Sequence, residues 1–410
     1  MRTRTLSTPK SLLLPCALLL GAAGPAQADN GLNVYGFLNA GAYYLDENDI
    51  SIESYESGSP QFFNRDTMMG LQISKEISER TSATIQLTAK GEEDFAVRTS
   101  LAFISHALND STDIRFGRLR IPFFYYSEFL DVGYAYNWIR PTGDAYGIPF
   151  SDYNGADIIK RFSFDSFDGQ IQLNYGRRDK EIVLFNEAYE SELNNFAGAT
   201  LNLYMGDFGL RVGMQQTQMT LDSAADAQTL NDVRTGAKTP DEALYDLTVS
   251  GARRIDIAQT YATLLTSGMS QKTQDTFSFD DKKARYYNLA TTWDNGDWSF
   301  IAETAVINFD SGLYVDNFAW LASLAKRFDA LTIHTTYSTS RDRLDGGEVG
   351  KVQELMMLRG EDESVTLGMR YDLDEATAFK LEATHHMEET NQGLPGASGT
   401  LYRAALQLVF

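Results

Sequence analysis

Apolar and polar residues alternate with a period of two along most of this chain. The first such block is 32–44 (LNVYGFLNAGAYY). In 67–75, Met69, Leu71 and Ile73 share one face, with Gln72 and Ser74 on the other. In 81–90, Ala83, Ile85, Leu87 and Ala89 are in phase. Over 97–108, alternation sends Leu101 and Phe103 outward and Arg98, Ser100 and His106 inward, and 113–118 sets Ile114 and Phe116 against Arg115 and Gly117. Blocks 155–164, 169–177, 195–205 and 207–218 follow a long interruption. The period of two is absent from 219–281, then returns at 284–293, 298–308, 317–328, 331–341, 364–373, 377–387 and 400–410. In the last block Tyr402, Ala404, Leu406, Leu408 and Phe410 form one apolar row, opposite Arg403, Ala405 and Gln407. Strands of about ten residues, apolar on one side and polar on the other, are the units of a barrel that crosses a membrane.

These blocks predict an all-β, antiparallel transmembrane barrel of sixteen strands, with eighteen as the alternative. With sixteen, long and short connections alternate, as they must when every second link is a short turn at one end of the barrel. Reading 255–268 (IDIAQTYATLLTSG) as a further strand breaks that alternation. Ile257, Tyr261, Leu264 and Leu265 stand at helical spacing, so the stretch predicts a helix inside a long external loop, 219–281, with a second short helix over 241–247.

The amino-terminal stretch restricts the class. Arg2, Arg4 and Lys10 precede an apolar run over 11–24 and the small-x-small sequence Ala26-Gln27-Ala28. That is the pattern of a secretory signal peptide, 1–28, leaving 29–410 as a single barrel domain. The only cysteine, Cys16, lies inside the apolar run behind Pro15, so the exported chain has no thiol to pair. Elsewhere no run of eighteen apolar residues offers a helical membrane span. Without the signal the chain carries 32 basic against 56 acidic residues, a net charge of −24. So acidic a protein does not hold nucleic acid by neutralising phosphates. Aromatic residues make up 12%, which argues against disorder. An acidic soluble β protein of the periplasm is the competing class.

The most distinctive stretch is 116–157 (FGRLRIPFFYYSEFLDVGYAYNWIRPTGDAYGIPFSDYNGAD). It holds ten or more aromatic residues, three prolines (Pro122, Pro141, Pro149) and charges of both signs. An external loop in water has no use for so many rings, whereas a loop packed against the inner wall of a barrel does. The Gly117-Arg118-Leu119-Arg120 start, the length, the later Pro-Phe and Gly-Ala-Asp elements, the first strand Val34-Tyr35-Gly36-Phe37-Leu38 and the terminal Phe410 together resemble the outer-membrane porins of Gram-negative proteobacteria. The loop departs from the acidic Pro-Glu-Phe-Gly-Gly type of sequence usual in general porins. The resemblance implies an inward-folded constriction loop over 119–154, a homotrimer, a place in the outer membrane among lipid and lipopolysaccharide, and a closing strand (Tyr402, Leu406, Leu408, Phe410) read by the barrel assembly machinery.

Selectivity in such a pore arises from fixed charge at its narrowest point. Arg98, Arg115, Arg211, Arg370 and Arg403 point inward by alternation, and Arg118, Arg120 and Arg140 flank or lie within the loop. Glu128, Asp131, Asp144 and Asp152 are the carboxylates that would oppose them across the lumen. The alternative is that these arginines pair with neighbouring carboxylates as packing. Aromatic pairs such as Tyr43-Tyr44 and Tyr286-Tyr287, with Trp298, suit the girdles at the lipid interface. Acidic segments 46–49 and 361–363 suit solvated outer loops.

Catalysis finds little support. The four histidines are His106, His334, His385 and His386. His385 and His386 point to opposite faces of one strand and cannot share a metal, and Ser105 alternates away from His106. No His-Glu-x-x-His or Gly-x-Ser-x-Gly occurs. The expectation is a cofactor-free, metal-free passive channel for small hydrophilic solutes and ions, with no enzymatic activity. A substrate-selective channel, or a receptor or adhesin acting through its external loops, is the alternative.

Overall fold

The computed structural model describes residues 31–46, 51–52, 55–184, 187–356, 360–388 and 398–410. The proposed signal peptide, and residues 47–49 of the first acidic segment, lie outside them. Sixteen long strands run in order: β1 Leu32–Asp46, β2 Met68–Ser78, β3 Thr81–Lys90, β4 Arg98–Asn109, β5 Thr112–Arg120, β6 Asp152–Phe164, β7 Phe167–Leu184, β8 Glu187–Met205, β9 Phe208–Leu221, β10 Lys282–Asp294, β11 Trp298–Phe309, β12 Asp316–Phe328, β13 Leu331–Arg343, β14 Glu361–Asp372, β15 Thr377–Glu388 and β16 Ser398–Val409. Each pairs antiparallel with the next. β1 closes the ring by pairing with β16 from Phe37↔Val409 to Asp46↔Thr400. Closure leaves no strand edge unpaired, which is what lets a sheet cross lipid. No described helix is long and apolar enough to cross a membrane.

Connections at the end holding Leu32 and Phe410 are short. Gly206-Asp207 joins Met205 to Phe208, and Asp329-Ala330 joins Phe328 to Leu331. Gly206 takes φ of 59°, the left-handed conformation that a two-residue hairpin turn requires. Every long connection lies at the opposite end. The 222–281 connection holds helices α1 Ala227–Arg234, α2 Pro240–Val249, α3 Arg254–Leu265 and α4 Gln271–Thr276. α2 contains the predicted segment 241–247, and α3 covers 255–265 of the predicted 255–268, ending at Leu265. Thr239 caps α2 reciprocally with Glu242, and Pro240 stands at its first turn. Ile255, Ala262, Phe277 and Phe279 pack with Ile182, Leu193, Met219 and Val352, so this connection lies against the β7–β9 wall and a further helix, α5 Gly347–Leu355.

In β16 the alternation holds throughout. Tyr402 and Leu406 are exposed on the outer face, whereas Arg403, Ala405 and Gln407 are buried towards the lumen. Tyr44, Tyr287 and Trp298 lie on the outer surface, and Tyr43 and Tyr286, their partners by sequence, turn inward. The Phe410 backbone exchanges two hydrogen bonds with Gly36, of 2.8 and 3.0 Å, and its ring occupies the space where a Gly36 side chain would stand.

Two expectations are corrected. In β4, Gln86 faces Leu101 but Leu87 faces Thr99, so one extra residue is inserted at Ser100. Beyond this bulge the phase inverts. Phe103 turns inward under the Arg115 guanidinium, 5.5 Å from its ring centre, while Ile104, His106 and Leu108 lie on the outer face. Leu101 and Phe103 are therefore lumen residues and His106 is not. Secondly, β7 and β8 extend past the predicted ends at 177 and 195 to form a long hairpin. Register shifts at Gly176/Arg178 and Asn194/Ala197 interrupt the alternation there, so the pattern could not be followed through.

Candidate functional site

The connection 121–151 between β5 and β6 turns into the barrel and occupies its interior. Its backbone forms two single turns, Ser127–Phe129 and Gly133–Ala135, and one short helical turn, Gly143–Tyr146. Its rings provide the packing that so irregular a segment needs. Phe123 and Phe124 are buried with Leu119, Tyr153, Phe196 and Tyr286 of the wall. Tyr136 and Trp138 are buried with Ile301 and Leu321 further round. Phe123 meets Tyr286 edge to face at 4.8 Å, and Phe124 stacks on Tyr146 at 4.2 Å.

Polar side chains from the wall hold the loop backbone in order along its path. Arg211 of β9 donates to the Pro122 carbonyl at 2.6 Å. Glu303 of β11 accepts from the Tyr125 amide at 2.7 Å and from the Tyr146 hydroxyl. Arg370 of β14 donates to the Tyr134 carbonyl at 2.7 Å and lies over that tyrosine ring. Lys380 of β15, fully buried, donates to the carbonyls of Gly133, Tyr136 and Trp138 at 2.8, 2.6 and 2.7 Å. Glu382 accepts from the Ile139 amide at 2.8 Å, and Gln407 donates to the Ile139 carbonyl at 3.0 Å. Trp138 donates to Thr336 at 2.8 Å. Buried backbone groups need such partners, and here the lumen row of the strands supplies them.

Most of the charged residues marked out by the sequence fall into pairs. Arg115 meets Asp157 at 2.5 Å and Glu128 of the loop at 3.5 Å. Arg120 binds Asp131 at 2.6 Å. Burial works to raise the Asp131 carboxyl, but Arg120, Lys90 and Arg140 together hold it below its ordinary value. Arg118 lies 3.7 Å from Asp152, which sits at the start of β6 and is also bound by Lys180 at 2.8 Å. Arg403 binds Glu382 at 2.7 Å in a fully buried pair. Arg98 binds Glu93 at 2.9 Å near the outer end of β4. Arg370 binds Asp372 at 2.7 Å. Arg211 takes Asn288 and Asn202 at 3.0 and 3.1 Å beside the Pro122 carbonyl, and Arg140 donates to the Arg65 carbonyl at 2.9 Å. Asp144 accepts from Ser338 and Ser364 at 2.6 and 2.5 Å. Glu128 and Asp131 thus touch the arginines they were expected to face across water.

Sequence reasoning passed over Lys380, Glu382 and Glu303, which hold the loop. A signal for two of them was present: Lys380, Glu382, Thr384 and His386 occupy successive inward positions of one predicted strand, and a lysine in such a row must find acceptors inside the barrel.

A closed sixteen-strand barrel with a polar inner wall and a loop bound inside it defines the class of outer-membrane channels. The Gram-negative porin family model matches residues 16–392, and the chain belongs to that family, which places it in the outer membrane. No curated protein matches it significantly. Among solved structures it is similar to the outer-membrane channel DcaP of Acinetobacter baumannii, at 10% identity and a TM-score of 0.55, over 92% of this chain and 97% of that one. It is equally similar to OmpF of Salmonella typhi, solved in complex with daunomycin, at 12% identity and 0.55, over 93% and 98%. An anion-selective porin from Comamonas acidovorans gives 11% identity and 0.55, over 92% and 99%. At such identities the likeness describes the fold.

Proposed function

We propose that the protein is a passive diffusion channel for small hydrophilic solutes and ions, narrowed by the 121–151 loop and without catalytic activity. The observation that carries this reading is the loop itself, fixed to successive strands around the inner wall by Arg211, Glu303, Arg370, Lys380 and Glu382. A loop held this firmly leaves a fixed passage, which suits sieving by size. The partly exposed charges along the β5–β7 wall (Arg118, Asp152, Lys180) and Glu128 on the loop line what remains open. Because most of these charges are paired, the passage is weakly selective between anions and cations. Outward-facing Tyr402, Leu406 and Leu408 meet lipid, and the Phe410 terminus is the signal for the barrel assembly machinery. A homotrimer fits this reading, since one similar Vibrio cholerae outer-membrane protein was solved in a trimer form.

Purified protein in a planar bilayer tests it. Discrete current steps in KCl, with a reversal potential near zero in a salt gradient, are expected. A membrane that stays silent at amounts where a known porin inserts refutes the channel reading.

A further inference from the structure

Where the tail of the loop, 147–150, meets strands β7–β11, the structure holds a cavity of about 170 Å³. A cavity of about 150 Å³ lined by apolar side chains stays dry and takes up benzene, so this one has room for a single ring. Six rings line it: Phe123 and Phe150 of the loop, Phe196, Tyr286 and Phe309 of the wall, and Tyr314 beyond β11. Phe123 meets Phe150 and Phe196 edge to face at 5.8 and 6.1 Å, and Phe309 stacks on Tyr314 at 4.9 Å. The cavity lies at the joint between two buried clusters. Phe123, Phe196 and Tyr286 belong to the one that seats the loop, and Ile182, Leu193 and Met219 to the one beneath the external helices. Phe150 packs against both.

Polar lining residues are few, and most are already engaged. Arg285 is the one charged residue among them, and its guanidinium is bound to Asp310 at 2.8 Å. Gln216 lies on the outward row of β9, and the Thr217 hydroxyl donates to the Asn194 carbonyl at 3.0 Å. Gln215 differs. It is 1% exposed and its Oε1 accepts from Asn174 at 3.0 Å, but its Nε2 has no hydrogen-bond partner among the described residues. It stands directly opposite Tyr286 in the β9–β10 ladder, so an amide donor and an aromatic ring come to the cavity side by side. A buried donor left unpaired is costly, and an oxygen on a ligand relieves it. An ion would give up its hydration for a lining that offers one neutral donor and no free charge. A water molecule needs two or more polar partners. A neutral ring bearing one oxygen uses both the aromatic lining and the donor.

We propose that this cavity binds small neutral aromatic solutes of one ring that carry an oxygen acceptor, with the ring seated among the six aromatic side chains and the oxygen accepting from Gln215 Nε2. The site goes beyond the channel reading and stands or falls apart from it, since binding is read without current. Fluorine NMR titration of the intact protein in detergent tests it. The probe is 4-fluorobenzyl alcohol, with 4-fluorotoluene as the ring without oxygen, 4-fluorobenzoate as the anion and protein-free micelles as the blank. The alcohol is expected to bind saturably, about three- to tenfold tighter than the toluene, as one neutral hydrogen bond provides. The benzoate should show no saturable binding. Gln215→Met should bring the alcohol down to the affinity of the toluene and leave the toluene unchanged. Ala284 stands between Thr217 and Phe309 in the ladders, so Ala284→Leu fills the cavity and should abolish binding of both. In the unaltered protein, no saturable binding above the blank, equal affinity for alcohol and toluene, or tighter binding of the benzoate overturns the proposal, whether or not either variant folds. Saturable binding that survives in a folded Ala284→Leu barrel overturns it too, because the ligand then lies elsewhere.

Discussion

Lys380→Met offers the sharpest test of how the loop is held. The side chain is fully buried, and its three ammonium protons go to three loop carbonyls. Methionine keeps most of the volume and removes all three donors. Hydrogen bonds from a charged donor contribute about 1.5–3 kcal/mol each, so the gross loss is roughly 5–9 kcal/mol. Relief from burying an ammonium group returns several kcal/mol of that. A net local loss of about 2–4 kcal/mol remains, or a roughly thirty- to thousandfold rise in the open fraction of segment 133–139. The two bonds at Ile139, from Glu382 and Gln407, still anchor its far end, so the segment swings rather than leaves. The barrel ladders are untouched, and the variant should remain a heat-modifiable, compact band on gels. Single-channel recording reads the difference: a larger, noisier conductance with frequent sub-states, set against quiet steps in the unaltered protein. Hydrogen exchange at Tyr136 and Trp138 should rise in parallel. Unchanged conductance, noise and exchange would show that the Lys380 bonds do not determine the position of the loop.

Three further outcomes follow from the same geometry. Glu303→Gln removes the charge that holds the Tyr125 amide and the Tyr146 hydroxyl, and should weaken that limb of the loop by on the order of 1–2 kcal/mol, read as faster proteolysis within 121–128. Gly36→Val drives a side chain into the Phe410 ring and should cost about 1–3 kcal/mol, visible as a lower folded fraction after refolding into detergent. The Asp131 carboxyl is held below its ordinary value of 3.8, so its contribution is fully present above that pH and is lost as the solution is acidified through its lower, folded-state value. Current noise from the loop should therefore grow only below about pH 4, and Asp131→Asn should show that noise at pH 7 and no further change on acidification.

The barrel was readable because its physics is local. A strand with lipid outside and polar groups inside repeats its demand every second residue, and thirteen of the sixteen strands can be followed on that ground. The exceptions have one cause. At Ser100, and again where β7 meets β8, an extra residue shifts the phase, and a period of two carries no mark of an insertion until the partner strand is known. The loop's inward turn was also readable, from rings that no external loop would carry. Its path was not. Whether Ile139 lies beside Glu382 or elsewhere depends on contacts more than two hundred residues apart in sequence, and no spacing in the chain encodes them.

The same distinction explains what became of the expected transverse field. Alternation turns Arg115, Arg211, Arg370 and Arg403 inward, and from that alone a row of positive charge would face the lumen. A loop in the lumen, however, brings thirty-one residues of backbone with few ladder partners of their own, and each buried carbonyl and amide needs one. The cheapest donors are the side chains already projecting there. Arg211 and Arg370 bind loop carbonyls, Arg115 and Arg120 bind loop carboxylates, and Arg403 orients the glutamate that holds Ile139. A wall arginine paired with a carboxylate, as Arg115, Arg120, Arg370 and Arg403 are, contributes little to selectivity, because its charge is balanced within a few ångströms. Neutralising one should therefore alter conductance through the position of the loop and leave reversal potential almost unmoved.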